Sequence, residues 1–146
     1  MIADLKQCDR KVIRDDRGAV LHMLRCDSNE FASDFGEAYF SKIKEGVIKG
    51  WKKHIKMTQR ISVPVGSVKF VFVDLRADSS SHGGIVEIEL SEKNHKLIIV
   101  PPGLHYSFKG TSPGESLIAN ITNLPHEPSE CELLPLETNE ICYSWN

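Results

Sequence analysis

Alternation of apolar and polar positions with a period of two recurs along the chain, and no stretch sustains the 3.6-residue period of an amphipathic helix. Ile85-Val86-Glu87-Ile88-Glu89-Leu90 shows it most plainly, with apolar and acidic positions trading places as in a strand that has one wet face. The same reading predicts strands over 19–24, 37–43, 46–51, 59–65, 68–76, 96–100, 104–108, 116–122 and 141–145, with weak alternation over 10–14. Turn and loop signals separate them at Asp15-Asp16-Arg17-Gly18, over 27–35, over 78–84, over 91–95 and at Pro101-Pro102-Gly103. Residues 1–9 read as a polar lead-in. The runs 59–65 and 68–76 predict a hairpin around Gly66-Ser67. In its second arm Val68, Phe70 and Phe72 share one face while Val71 and Val73 make the other apolar too, the mark of an interior strand. Many short strands punctuated by Gly and Pro, with no helix, repeat or linker, predict an all-β sandwich or jelly roll.

At 146 residues, 40% apolar and 26% charged, the composition is that of one globular domain over 1–146. A net charge of −2 supplies no basic field for nucleic acid. No run approaches the ~18 apolar residues of a membrane span, and no charged-then-apolar leader opens the chain. Cys8, Cys26, Cys131 and Cys142 form no CxxC pattern, which predicts reduced thiols and a cytoplasmic location. Charge matters locally instead. Residues 49–60 hold four lysines, Arg60, His54 and Trp51 between two predicted strands, a concentration suited to a small anionic ligand.

Asp16-Arg17-Gly18, Tyr39-Phe40-Ser41, Gly46-Val47-Ile48-Lys49-Gly50-Trp51, Val65-Gly66-Ser67-Val68, Val73-Asp74-Leu75-Arg76, Leu90-Ser91, Val100-Pro101-Pro102-Gly103 and Ser107-Phe108 follow one another in an order and spacing that resembles the dTDP-4-dehydrorhamnose 3,5-epimerase family of the cupin superfamily. The resemblance covers nearly the whole chain from Arg14 to Trp145. It implies a cupin double-stranded β-helix (jelly roll), a homodimer whose partner chain adds an edge strand to the site, and a nucleotide-linked 4-keto sugar as ligand.

The family's reaction takes the acidic protons beside the sugar ketone and uses a histidine base, an aspartate that orients it, a tyrosine acid and a lysine near the enolate oxygen. In this chain the base position falls on Lys52, the lysine position on Gln59 and the tyrosine position on Ala119, and the segment carrying the aspartate has no evident counterpart. The sugar-nucleotide 3,4-ketoisomerases resemble the central stretch in another way. Their Gly-x-His-Ala-His segment and following glutamine align with Gly50-Trp51-Lys52-Lys53-His54 and Gln59, so His54 matches the second histidine. Period-two spacing puts Lys52 and His54 on one face of a strand.

These alignments nominate Lys52, His54 and Tyr106 as catalytic residues, Tyr106 being the one replacement acid in view. Arg17 and Lys49 match phosphate-contacting positions, Glu37 and Tyr39 the positions that read the base, and Gln59 and Arg60 complete the substrate-binding set. A metal-binding cupin would need ligands at Lys52, His54, Gln59 and Tyr106, of which only His54 is a good one, so neither metal nor cofactor is expected. The expected function is proton transfer next to the ketone of a nucleotide-linked 4-keto-6-deoxyhexose, as an epimerase or ketoisomerase in polysaccharide precursor synthesis. The alternative is a non-catalytic or regulatory cupin that binds the same ligand.

Overall fold

A computed structural model describes residues 1–31 and 34–145. Of the loop expected over 27–35, positions 32 and 33 lie outside the described residues. The strands in chain order are β1 (Lys6–Asp9), β2 (Val12–Asp15), β3 (Gly18–Leu21), β4 (Glu37–Lys44), β5 (Ile48–His54), β6 (Gln59–Val65), β7 (Ser67–Val73), β8 (Ile85–Ser91), β9 (Lys96–Val100), β10 (His105–Gly110), β11 (Glu115–Thr122) and β12 (Cys131–Leu133). One five-stranded sheet runs β1-β9-β6-β11-β4, a second runs β12-β5-β10-β7-β8, and β2-β3 form a separate hairpin. Every strand pair is antiparallel. No helix among the described residues is long and apolar enough to cross a membrane.

From β4 onward the chain changes sheet at nearly every turn, so sequence neighbours seldom pair. That corrects the hairpin expected around Gly66. The strand β6 pairs with β9 and β11, whereas β7 pairs with β10 and β8 in the other sheet. Gly66, at φ +79, is therefore a corner between sheets, where a side chain would meet Ser116 Oγ at 2.3 Å and Ser116 Cα at 2.8 Å. The interior position expected for β7 does hold. Val68, Phe70 and Phe72 enter the core between the sheets, joined by Ile61, Val63, Ile88, Leu90, Ile98 and Phe108. Burying Phe70 and Phe72, 1% and 0% exposed, removes apolar surface worth about 1.5–3 kcal/mol each.

The opposite face of β7 packs Val71 and Val73 against Trp51 and Ile141, with Leu134, Tyr143 and Trp145 over them. This corrects the strand expected over 141–145. Those residues form no strand; they cover the outer face of the second sheet, with Trp145 Nε1 donating to Ser107 Oγ at 3.1 Å and Tyr143 Oη to Glu87 Oε1 at 2.6 Å. Two strands were absent from the sequence reading. The polar lead-in supplies β1, which pairs with β9, and β12 pairs with β5 after a 3₁₀ turn over Pro128–Glu130. Both are edge strands, held by backbone hydrogen bonds rather than by an apolar face.

Candidate active site

In place of the expected strand over 46–51, β5 runs from Ile48 to His54, which puts Lys49, Lys52, Lys53 and His54 of the basic cluster on one strand. Trp51 faces outward into the apolar layer under the C-terminal residues, so Lys52 and His54 face the interior. Tyr106 on β10 is directly cross-strand from Lys52, and Lys52 Nζ lies 5.9 Å from the Tyr106 ring centroid. The structure thus brings together the three residues nominated as catalytic, at one end of the space between the sheets.

A residue the sequence reading missed fixes His54. Glu130 ends the 3₁₀ turn, its carbonyl accepts the Ile55 N–H at 3.0 Å, and β12 then puts Cys131 cross-strand from His54. Glu130 Oε2 lies 2.8 Å from His54 Nδ1. Its Oε1 accepts the Met57 N–H at 2.7 Å and the Lys56 N–H as well. Burial works against ionising Glu130, yet the two backbone N–H groups and His54 together hold the carboxyl below the usual glutamate range.

For His54, burial is the largest influence and lowers its pKa; Glu130 opposes that, and Lys52 and His126 reinforce it. The imidazole is therefore neutral near pH 7. With an ionised carboxylate on Nδ1, that nitrogen carries the hydrogen and donates, leaving the Nε2 lone pair free. Nε2 is buried and has no hydrogen-bond partner among the described residues. A neutral, oriented imidazole with an open lone pair is a competent base.

The facing sheet contributes Tyr39, Gln59 and Asn120. Gln59 opens β6 with both amide atoms buried and without a close partner, beside the phenols of Tyr39 and Tyr106. Asn120 on β11 is cross-strand from Tyr39 and donates Nδ2–H to its hydroxyl at 2.8 Å. Burial pushes both phenols above the usual tyrosine range, most strongly at Tyr106, while Gln59 acts in the other direction. Ala119, the family's tyrosine position, is in register with Phe40 on the outer face of β4, whereas its neighbours Ile118 and Asn120 turn inward.

The remaining nominated residues fall elsewhere. Glu37 begins β4 and accepts the His126 N–H at 2.8 Å, at the margin of the cluster. Lys49 is exposed and donates to the Lys42 carbonyl at 3.2 Å, bridging toward β4. Arg17 stands on the β2–β3 turn, exposed, with Nη2 2.6 Å from Asp15 Oδ2. Arg60, expected in the substrate-binding set, projects from the other face of β6 instead. It is 2% exposed and donates to the carbonyls of Glu30 and Phe31 at 2.7 and 2.9 Å and to Asp34 at 2.5 Å, so it pins a loop outside the cluster. Alternation of side chains explains the difference, because Gln59 and Arg60 are adjacent and only one can face inward. Among the described residues no group of three His, Cys, Asp or Glu converges to hold a metal, and all four cysteines are unpaired.

Comparison with known proteins fits this architecture. The family model described as dTDP-4-dehydrorhamnose 3,5-epimerase matches residues 1–146. The spore coat polysaccharide biosynthesis protein SpsL of Bacillus subtilis is 29% identical over 134 residues, 90% of this chain and 88% of that protein. The probable low-salt glycan biosynthesis epimerase Agl13 of Haloferax volcanii is 29% identical over 99% of this chain and 95% of its own length. The crystal structure of a dTDP sugar isomerase from Desulfovibrio desulfuricans G20 superposes with a TM-score of 0.95 at 37% identity, covering 99% of this chain and 92% of that one. With a family match over its full length, the chain belongs to the dTDP-4-dehydrorhamnose 3,5-epimerase family.

Proposed function

We propose that this chain is a nucleotide-sugar epimerase or isomerase that abstracts a proton next to the ketone of a nucleotide-linked 4-keto-6-deoxyhexose, in polysaccharide or glycan precursor synthesis. The observation that carries the reading is His54: buried, neutral, held through Nδ1 by Glu130 and open at Nε2. It supplies the base that the family position, occupied by Lys52, does not. Lys52 on the same face stabilises the enolate oxygen. The unpartnered Gln59 amide and Asn120 Oδ1 take up sugar hydroxyls, and Tyr106 closes the floor between Phe72 and Phe108. Arg17 and Lys49 contact the phosphates and Glu37 the base. Arg17 does so across a homodimer, since in its own chain it lies away from the cluster on the β2–β3 hairpin.

A second reading, binding without chemistry, draws on Lys52, Gln59 and Ala119 standing where the family has its base, lysine and tyrosine. Proton NMR of the protein with dTDP-4-keto-6-deoxyglucose in deuterated water separates the two. Deuterium entering at C3 or C5, abolished by His54→Ala, is the expected result. Saturation transfer to the ligand without any exchange would establish the binder instead.

A further inference from the structure

If the carbon inverts, a proton must return from the side opposite His54, and Ala119 has none to give. We propose that Tyr39 is that proton donor and Asn120 its positioning residue, a proposal that rests on the enolising function above.

Two phenols reach the cluster, and their places in the fold distinguish them. Tyr106 is on β10, next to β5 in the same sheet as His54, so it meets a ligand from the same side as the base. Tyr106 is also 3% exposed, its ring between Phe72 and Phe108 at centroid separations of 5.9 and 6.3 Å. Tyr39 is on β4 in the facing sheet and is only partly buried. A ligand lying between the sheets has His54 on one side and Tyr39 on the other.

The hydrogen bonding suits a donor. Asn120 Nδ2 gives its hydrogen to the Tyr39 oxygen, so the phenol's own O–H is left to point at the ligand. A phenol is protonated at neutral pH and burial raises the Tyr39 pKa further, while the Asn120 and Gln59 amides favour the phenolate that forms. In the step itself, His54 Nε2 takes the proton, and the C–H electron pair becomes the enolate double bond with the charge on the ketone oxygen. The double-bond electrons then form a new C–H bond with the Tyr39 proton on the opposite side as the ketone re-forms. Imidazolium and phenolate return to neutral by exchange with water, so nothing is oxidised or reduced.

The test measures exchange and inversion at the same carbon, with dTDP-4-keto-6-deoxyglucose in deuterated water. Tyr39→Phe is expected to lower the ratio of inverted product to deuterium wash-in with retained configuration by about 100-fold or more. Tyr106→Phe should leave the ratio of inversion to exchange unchanged. Asn120→Ala reads the same split independently: inversion falls, its basic limb moves to higher pH, and wash-in stays in place. An unchanged ratio in Tyr39→Phe, or parallel loss of exchange and inversion, would overturn the assignment. Wild-type exchange without inversion would overturn Tyr39 as donor and leave the enolising function standing, whereas no wild-type exchange would remove that function itself.

Discussion

His54 and Glu130 form a unit in which each residue sets the other's ionisation. Two backbone N–H groups keep Glu130 charged, and the charged Glu130 fixes the tautomer of a histidine that burial holds neutral. With His54 as the proposed base, the acid limb of kcat/KM is expected to report that histidine in the free protein. Since burial lowers its pKa, the limb is expected below the usual histidine range, with activity present above it and lost as pH falls through it. Glu130 raises the His54 pKa, so Glu130→Gln should move the limb to still lower pH while lowering the plateau about 10–100-fold. A pH profile of both proteins checks the sign. A limb that moves upward would mean that Glu130 does not act through His54. The sequence made His54 legible because Gly50, Gln59 and the period-two spacing flag it. Glu130 was not legible, because 76 residues separate it from His54 and Pro128-Ser129-Glu130 carries no periodic signal.

Among the elements, legibility follows burial. Strands with an apolar face, such as β4, β7, β8 and β11, announce themselves through alternation. The edge strands β1 and β12 are short and largely exposed, so their side chains carry little record of the pairing. The opposite error arose at 141–145, where Ile141, Tyr143 and Trp145 alternate for contact with a sheet rather than for membership in one. Pairing partners were harder still: the corner at Gly66 and a hairpin turn share the same residues, and only the destination of β7 separates them. The C-terminal cover lies behind β5 and β10, the strands that carry Lys52, His54 and Tyr106. Ile141, 5% exposed against Trp51, Val71 and Val73, is therefore a structural clamp. Ile141→Ala should cost about 2–4 kcal/mol in urea denaturation followed by tryptophan fluorescence. A loss within about 0.5 kcal/mol would show the segment to be merely laid on the sheet.

For the whole molecule, the phosphate contact proposed for Arg17 has to reach a cluster that Arg17 does not join in its own chain. The β2–β3 hairpin exposes Ile13 at 46% and Val20 at 58%, and β4 exposes Phe40 at 72% on its outer face. Apolar side chains placed so on a hairpin and an edge strand suit burial against a second copy, and a two-fold interface would exchange the hairpins reciprocally. The proposed homodimer then gives each site a His54 from one protomer and an Arg17 from the other. Two inactive variants can test this. Arg17→Ala and His54→Ala are each expected to lose activity, and so are dimers of either alone. In a mixed dimer, the wild-type His54 of the Arg17→Ala chain meets the wild-type Arg17 of the His54→Ala chain, which rebuilds one intact site. After denaturing and refolding an equal mixture, half the dimers are mixed and half their sites are intact, so about a quarter of wild-type activity should return. If Arg17 served its own chain, every site would keep a defect or belong to a separately inactive protomer, and mixing would restore nothing. Sedimentation equilibrium on Phe40→Glu supplies the physical counterpart: a monomer that no longer turns over substrate is expected, because its site would lack the arginine that only a partner can bring.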